Sequence, residues 1–454
     1  MTETANPSSG PWAAAPMSDA PATRAADDEV SQGLKVDFVG GRGALFGLAF
    51  RTGVLTVLTL GFYRFWMKTR LRRWYWSAIR PGGHPMEYVG DPFEKLLGFF
   101  IAVVVLTFYI GILNLLLMFA SFSIFSASWV GYVASFAGVI PLWFYARYRA
   151  RRYVLGRTRW RAVRFGMEKG AWGYAGRALW YWLLTIATLG LLWPRMTFLL
   201  EKYKTDRTFF GSARLRQGGS WTMLYRAAWP LLVGLFLTGL LVLSLLWLDP
   251  VLPPAGDQDR DIWTSLELLI GPTGVIFADW NNAERLWLFL PTLTLTGYGL
   301  IHYRWGSKRI MANHKSADGI TFASSLKEPR VAMIYSLGIF ISYMTLVIGM
   351  ALVILLSFAL FGPTAVETYL DVQIGGAALP NWLSFILVGL LYLFVFLMWG
   401  VLHNTFVTFP LMRHMARTTV LPTLLGLSQI SQRERDAFAE AEGFAEALDL
   451  GAAI

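Results

Sequence analysis

The chain has 454 residues, of which 55% are apolar and 15% charged, where soluble proteins carry about a quarter charged residues. Its 40 basic and 29 acidic residues give a formal charge of +11, and it contains no cysteine. Disulfides, thiolate chemistry and cysteine-based metal sites are excluded, and the composition predicts a polytopic helical membrane protein, because a membrane barrel would show short alternating segments.

Residues 1–33 are rich in Ala, Pro and Ser and lack the basic start and apolar core of a secretory signal, so a disordered cytoplasmic tail is expected. Apolar segments follow near residues 44–66, 96–120, 126–146, 173–199, 223–248, 286–303, 332–361 and 382–412. Several of them exceed the roughly 18 to 20 residues that cross a bilayer. Four connections are strongly basic. The first carries Lys68, Arg70, Arg72, Arg73 and Arg80; the second carries nine cations between residues 147 and 169, Arg149, Arg151 and Arg152 among them. The third holds Arg195, Lys202, Lys204, Arg207, Arg214 and Arg216, and the fourth holds Arg304, Lys308, Arg309, Lys315, Lys327 and Arg330. The connections after residues 248 and 361 are acidic and read as external.

If every apolar segment crossed, the second and third basic connections would lie on opposite sides, against the preference of Lys and Arg for the cytoplasm. The segments at 44–66 and 173–199 are each interrupted by glycines and an arginine, Arg51 and Arg177. A central arginine costs at least ~2.5 kcal/mol on insertion scales. The expected fold is therefore all-α, with about six transmembrane helices, two re-entrant or interfacial arms and short cytoplasmic strands. Eight conventional spans with one violating loop are the alternative.

The two arm segments resemble one another. VDFVGGRGALFGLAFRTGVLTVLTLGFYRFW, from Val36, aligns with VRFGMEKGAWGYAGRALWYWLLTIATLGLLWP, from Val163, and each precedes a basic helix and a short aromatic-plus-glycine strand, MEYVG or RTFFG. Tandem organisation follows: a repeat over residues 34–162, a second over 163–324, a partial third over 325–420 and a cytoplasmic tail over 421–454. In that tail Phe438, Ala441, Phe444, Ala445 and Leu448 approach helical spacing among acidic residues, as in a short amphipathic helix.

The FVG-type strand, the LTLGFYRFW segment, the RLRRWYW helix and the YVG strand resemble the YjgN-like family of bacterial inner-membrane proteins, a family of unknown function, over roughly residues 34 to 420. The second copy departs, with LLWPRMTFLLEKY in place of the aromatic and arginine row. The resemblance implies location and architecture, with both termini cytoplasmic on the reading above; it supplies no reaction or catalytic residue.

No phosphate loop, GxSxG or HExxH is present, and His84, His302, His314, His403 and His414 show no i,i+4 pairing. No cofactor, metal or catalytic residue is expected. The basic excess lies beside spans, which points to orientation and anionic lipid rather than nucleic acid. Polar groups within spans are Asn114, Arg226 and the His403–Asn404 pair, most simply read as interhelical hydrogen-bonding groups. In RLRRWYW and ARYRARRY, Arg70, Arg72, Arg73, Arg149, Arg151 and Arg152 are candidates for lipid phosphate, with aromatic rings at headgroup depth. The leading expectation is a non-enzymatic inner-membrane protein that binds, moves or senses an anionic lipid or amphiphile between repeats. The alternatives are a scaffold that engages a membrane-protein partner through its C-terminal tail, and an uncoupled small-solute transporter.

Overall fold

The structure is a computed structural model and describes residues 33–113, 115–116, 118–120, 128–244, 287–362, 380–424 and 427–432. The N-terminal tail, both acidic connections, Asn114 and the C-terminal amphipathic segment lie outside the described residues.

Among the described residues, ten short strands and eleven α-helices follow one another in a fixed order. Strand β1 (Leu34–Phe38) leads into α1 (Arg42–Leu58) and α2 (Arg64–Ala78), which return the chain to β2 (Ile79–Pro81). Strand β3 (Met86–Tyr88), α3 (Pro92–Phe108), α4 (Ser128–Gly156) and β4 (Thr158–Trp160) repeat the pattern, as do β5 (Val163–Met167), α5 (Ala171–Ala187), α6 (Trp193–Thr205) and β6 (Thr208–Phe210). Then come β7 (Ala213–Gln217), α7 (Tyr225–Leu243), α8 (Phe289–Ala312) and β8 (Lys315–Ala317). The last set is β9 (Ile320–Ser324), α9 (Glu328–Phe361), α10 (Asn381–His403), α11 (Phe409–Arg417) and β10 (Thr419–Leu424).

All strands join one antiparallel sheet in the order β2-β1-β10-β9-β8-β7-β6-β5-β4-β3. The two edge strands, β2 and β3, touch without a ladder between them, so the sheet is a ring split by a single seam. The ring forms because every helical pair is flanked by two strands that pair with each other, and successive units are stitched by tight turns. Asp318 and Gly319 at φ 35° and 88°, for example, form the two-residue turn between β8 and β9. Leu34 opposite Leu421 joins the first unit to the last. Leu34, Trp160, Phe210, Ala317 and Ile320 are buried in one cluster to which nine of the ten strands contribute, and their shared face is the inside of the ring.

The helical pairs also neighbour one another around the ring, α2 on α3, α4 on α5, α8 on α9 and α10 on α1. The all-α expectation is thus overturned by the ring. Its strands are three to six residues long, below the length at which alternation is visible in a sequence dominated by apolar helices. Six crossings are overturned as well: among the described residues three helical stretches are long and apolar enough to cross a membrane, Trp221–Leu243, Glu328–Phe361 and Trp382–Arg417. Helix α8 falls short, its apolar residues being interrupted by Pro, Thr, Gly and Tyr before Arg304, Lys308 and Arg309.

The segments at 44–66 and 173–199 each fold as two helices joined by the same turn. Leu60 and Gly61 at φ 49° and 94° match Leu189 and Gly190 at 50° and 89°. In both, a threonine hydroxyl, Thr56 or Thr185, lies 3.7 Å from the sulfur of Met67 or Met196 on the returning helix. The tip leucines are 90% and 92% exposed.

Helices α7 and α8 cross closely because each presents a glycine to the other's backbone. A Cβ at Gly299 would lie 2.6 Å from the Leu231 Cα, and one at Gly234 would lie 2.9 Å from the Thr296 Cα. Small residues permit this approach where water supplies no drive for helix pairing. Gly299→Val is expected to force the pair apart at a cost of about 2 kcal/mol, read as a lowered thermal midpoint in detergent; Gly297→Val, with no atom near its Cβ, serves as control.

Candidate functional site

Counting back from each even-numbered strand places equivalent residues of the five units. Six residues ahead of β2, β4, β6, β8 and β10 stand Arg73, Arg152, Lys202, Arg309 and Arg413, all basic. Arg73 donates to the Gly90 carbonyl at 3.0 Å, Arg152 to Met167 at 3.2 Å and Lys202 to Gln217 at 2.9 Å. Each bond joins the returning helix of one unit to the exit of the next odd-numbered strand. Arg309 instead meets Glu328, buried at the start of α9, at 2.8 Å. These cations latch neighbouring units, a use of arginine that its sequence context does not distinguish from headgroup binding.

One residue earlier stand Arg72, Arg151, Glu201, Lys308 and Met412. Arg72 is buried, donates to the Tyr88 hydroxyl at 3.3 Å and lies over the Tyr88 and Trp76 rings. Arg70 is exposed over Tyr63, and Arg149 reaches the Tyr145 hydroxyl at 3.1 Å. Arg51 is exposed on α1. Arg177 is exposed two turns into α5, donating to the Gly173 carbonyl and covering the Tyr203 ring at 4.7 Å. His403 lies beside Trp399, and its Nδ1 is buried without a hydrogen-bond partner among the described residues. The Asn404 amide donates to Gly400 and its carbonyl accepts from Tyr75 at the start of a π-helical turn. The candidates therefore do not converge on one place.

Charges do converge around Glu201 of the third unit. Its carboxylate meets Lys204 at 2.7 Å, Lys315 at 3.2 Å and Arg151 of the preceding unit at 3.4 Å. Burial alone would raise this carboxyl, and Arg151, Lys204 and Lys315 overcome it and hold the group well below the usual carboxylate range. Burial, opposed by Glu201, brings the Lys204 ammonium down to about 8. Lys308 of the fourth unit completes the set. It makes no ion pair among the described residues and lies 4.1 Å from the centre of the Trp305 ring. Burial, with Arg304, Lys204 and Arg151 adding to it against Glu201, lowers Lys308 to about 8. Its side chain is exposed.

With Arg147, whose charge also bears on Lys204, the belt holds five cations and one carboxylate from α4, α6, α8 and β8, at the helical end of the ring. Such an excess attracts an anion, and the low local dielectric strengthens the attraction. Only Arg151 of this belt is among the sequence candidates. Glu201 and Lys308 became legible once strand starts were known, because they share one register with Arg151, whereas Arg147, Lys204 and Lys315 lie outside it. Among the described residues no group of three or more His, Asp or Glu is placed to hold a metal ion.

A family described as bacterial protein of unknown function (DUF898) matches residues 33–346, which include the belt and the first three units and the fourth whole. The match agrees with the YjgN-like resemblance of the sequence. No curated protein and no solved structure matches the chain. The matched region spans well over half of the 454 residues, and the chain belongs to this bacterial family of unknown function.

Proposed function

We propose that the protein is a multi-pass component of the bacterial inner membrane, with both termini cytoplasmic, that binds an anionic lipid or amphiphile through the cationic belt. The belt carries the reading: three cations meet one carboxylate, and Arg147 and Lys308 add their charges beside Lys204, all from three consecutive units. Apolar side chains support the membrane setting. Phe340, Ile348 and Leu352 of α9 and Phe385, Tyr392 and Phe396 of α10 are exposed, as are Leu58, Leu60 and Phe62 at one arm tip and Ile186, Leu189 and Leu191 at the other. Exposed apolar side chains in such number are stable against acyl chains and unstable in water. The leading arm helices, 17 residues each, rise about 25 Å and so reach into a bilayer core of about 30 Å without traversing it.

In this reading the headgroup enters the belt while its chains lie against the arm helices. Mild-detergent purification followed by native mass spectrometry tests it. The wild-type protein is expected to retain phosphate-bearing lipid, and Arg147→Gln/Lys308→Gln to retain at least fivefold less, with Lys35→Gln on β1 as control. Equal retention by the double variant would remove the belt from the function.

A further inference from the structure

Residues 427–432, beyond β10, lie against the ring. Leu427–Gln429 forms a single 3-10 turn, and the segment to Gln432 crosses to the far side. There the Ser212 amide donates to the Ser431 carbonyl at 2.9 Å, the Ser431 amide to the Ser212 hydroxyl at 3.3 Å, and the Arg164 amide to the Gln432 side-chain oxygen at 2.9 Å. Leu427 and Ile430 pack into the apolar cluster inside the ring. A Cβ on Gly211 would lie 2.5 Å from the Ser431 carbonyl oxygen, so the turn between β6 and β7 is shaped to admit this segment.

The place of attachment gives the segment a role. Counted from the seam, β10 is the third strand on one side and β5 the third on the other. The segment therefore bridges the two halves of a split ring at the end remote from the helices. Among the described residues its hold on the ring is three hydrogen bonds and two half-buried apolar side chains, against the entropy of ordering six residues, whereas the strands are held by continuous ladders. Weakly held segments of this kind open before the body they rest on.

We propose that Leu427–Gln432 is a releasable clasp that keeps the strand ring shut, and that its release loosens the β2–β3 seam and uncovers the apolar interior. The clasp stands independently of the belt.

The absence of native cysteine makes the test direct. Ser212→Cys/Ser431→Cys is expected to form a disulfide under mild oxidation, locking the clasp, with reduction restoring its freedom. Hydrogen exchange read by mass spectrometry would compare the locked, reduced and wild-type proteins with chains ending at residue 426 or carrying Ile430→Ser. Release predicts that the Arg164 and Ser212 amides exchange at least tenfold faster in the wild type than the paired strand amides of β5 and β6, and that locking abolishes the difference. Clasp function predicts that truncation or Ile430→Ser speeds exchange in β2 and β3 at least fivefold. Exchange at Ser212 no faster than in the strands, or a seam indifferent to both variants, would overturn the proposal. Ile430→Ser keeps the question answerable if the truncated chain does not fold.

Discussion

Glu201→Gln is expected to be the most damaging single change in the ring. The substitution keeps the side chain's shape and removes its charge, leaving Arg151, Lys204 and Lys315 facing an uncharged amide within 3.4 Å of where the carboxylate stood. Breaking a buried ion pair from one side costs ~3–5 kcal/mol, and the 16% exposure of the Glu201 side chain favours the lower end. A drop of about 3 kcal/mol would appear as a clear fall in the thermal midpoint in detergent. Its pH dependence distinguishes charge from packing. With the carboxylate gone, Lys204 loses the interaction that supports its ammonium, so its folded value drops below the wild type's about 8, and between the two the variant's folded state binds fewer protons than the wild type's. Stability of the variant should therefore recover, relative to wild type, as pH rises toward 8, and the two should change in parallel above it. Inorganic phosphate should restore part of the loss at neutral pH by supplying the missing negative charge. A destabilisation independent of both pH and phosphate would show that Glu201 acts through shape alone.

The same cluster shows what could be read from the chain and what could not. The arm segments were recognisable as unusual from Arg51, Arg177 and their glycines, and both contain the Thr-Leu-Gly step that makes the turn. Strand-like pieces were visible at MEYVG and RTFFG. Their assembly into a ring was not, because a three-residue strand carries almost no alternation and its partner is chosen by topology: Leu34 pairs with Leu421 across nearly the whole chain. One local signal was available, the Asp318–Gly319 dipeptide between short β-prone stretches, which marks a hairpin. Arginine roles were the least legible. Arg73 and Arg152 lie in aromatic, basic stretches that suit a lipid surface, yet each spends a hydrogen bond on a carbonyl of the neighbouring unit. Charge density in a sequence reports a basic helix, and only the register against the following strand separates a latch from a belt position.

The ring also accounts for the conflict among the basic connections. Each helical pair starts and ends on strands of one sheet, so every connection rich in Lys and Arg gathers at that sheet whether its helices are long or short. A pair can then deepen from a 17-residue arm to the 34 residues of α9 without changing the side on which its ends lie. Charge placement follows from the ring, and the number of crossings does not alter it.

Anion binding by the belt should be coupled to proton uptake. Lys204 and Lys308 are depressed to about 8 by burial first and by neighbouring cations, against Glu201, so at pH 8 each ammonium is partly deprotonated. A bound phosphate-type headgroup favours the charged form and raises both groups toward their ordinary value, so binding must take up protons near pH 8 and affinity must fall as pH climbs above it. Calorimetric titration of the protein with a short-chain phosphate-bearing lipid, in two pH 8 buffers of different ionisation enthalpy, would measure the uptake. Between pH 7 and 9.5 the affinity should fall at least tenfold beyond any change shown by a zwitterionic analogue, equivalent to about 1.4 kcal/mol. Lys308→Met should weaken binding at pH 7 by about tenfold, since a charge-assisted hydrogen bond from an ammonium to a phosphate is worth on the order of 1.5–3 kcal/mol and the exposure of Lys308 favours the lower end. It should also remove roughly half of the proton uptake, leaving the share of Lys204. Affinity that ignores pH in the wild type, or a Lys308→Met protein with unchanged affinity and proton uptake, would move the anion site away from the belt, whereas loss of both together would place the headgroup against the Lys308 ammonium.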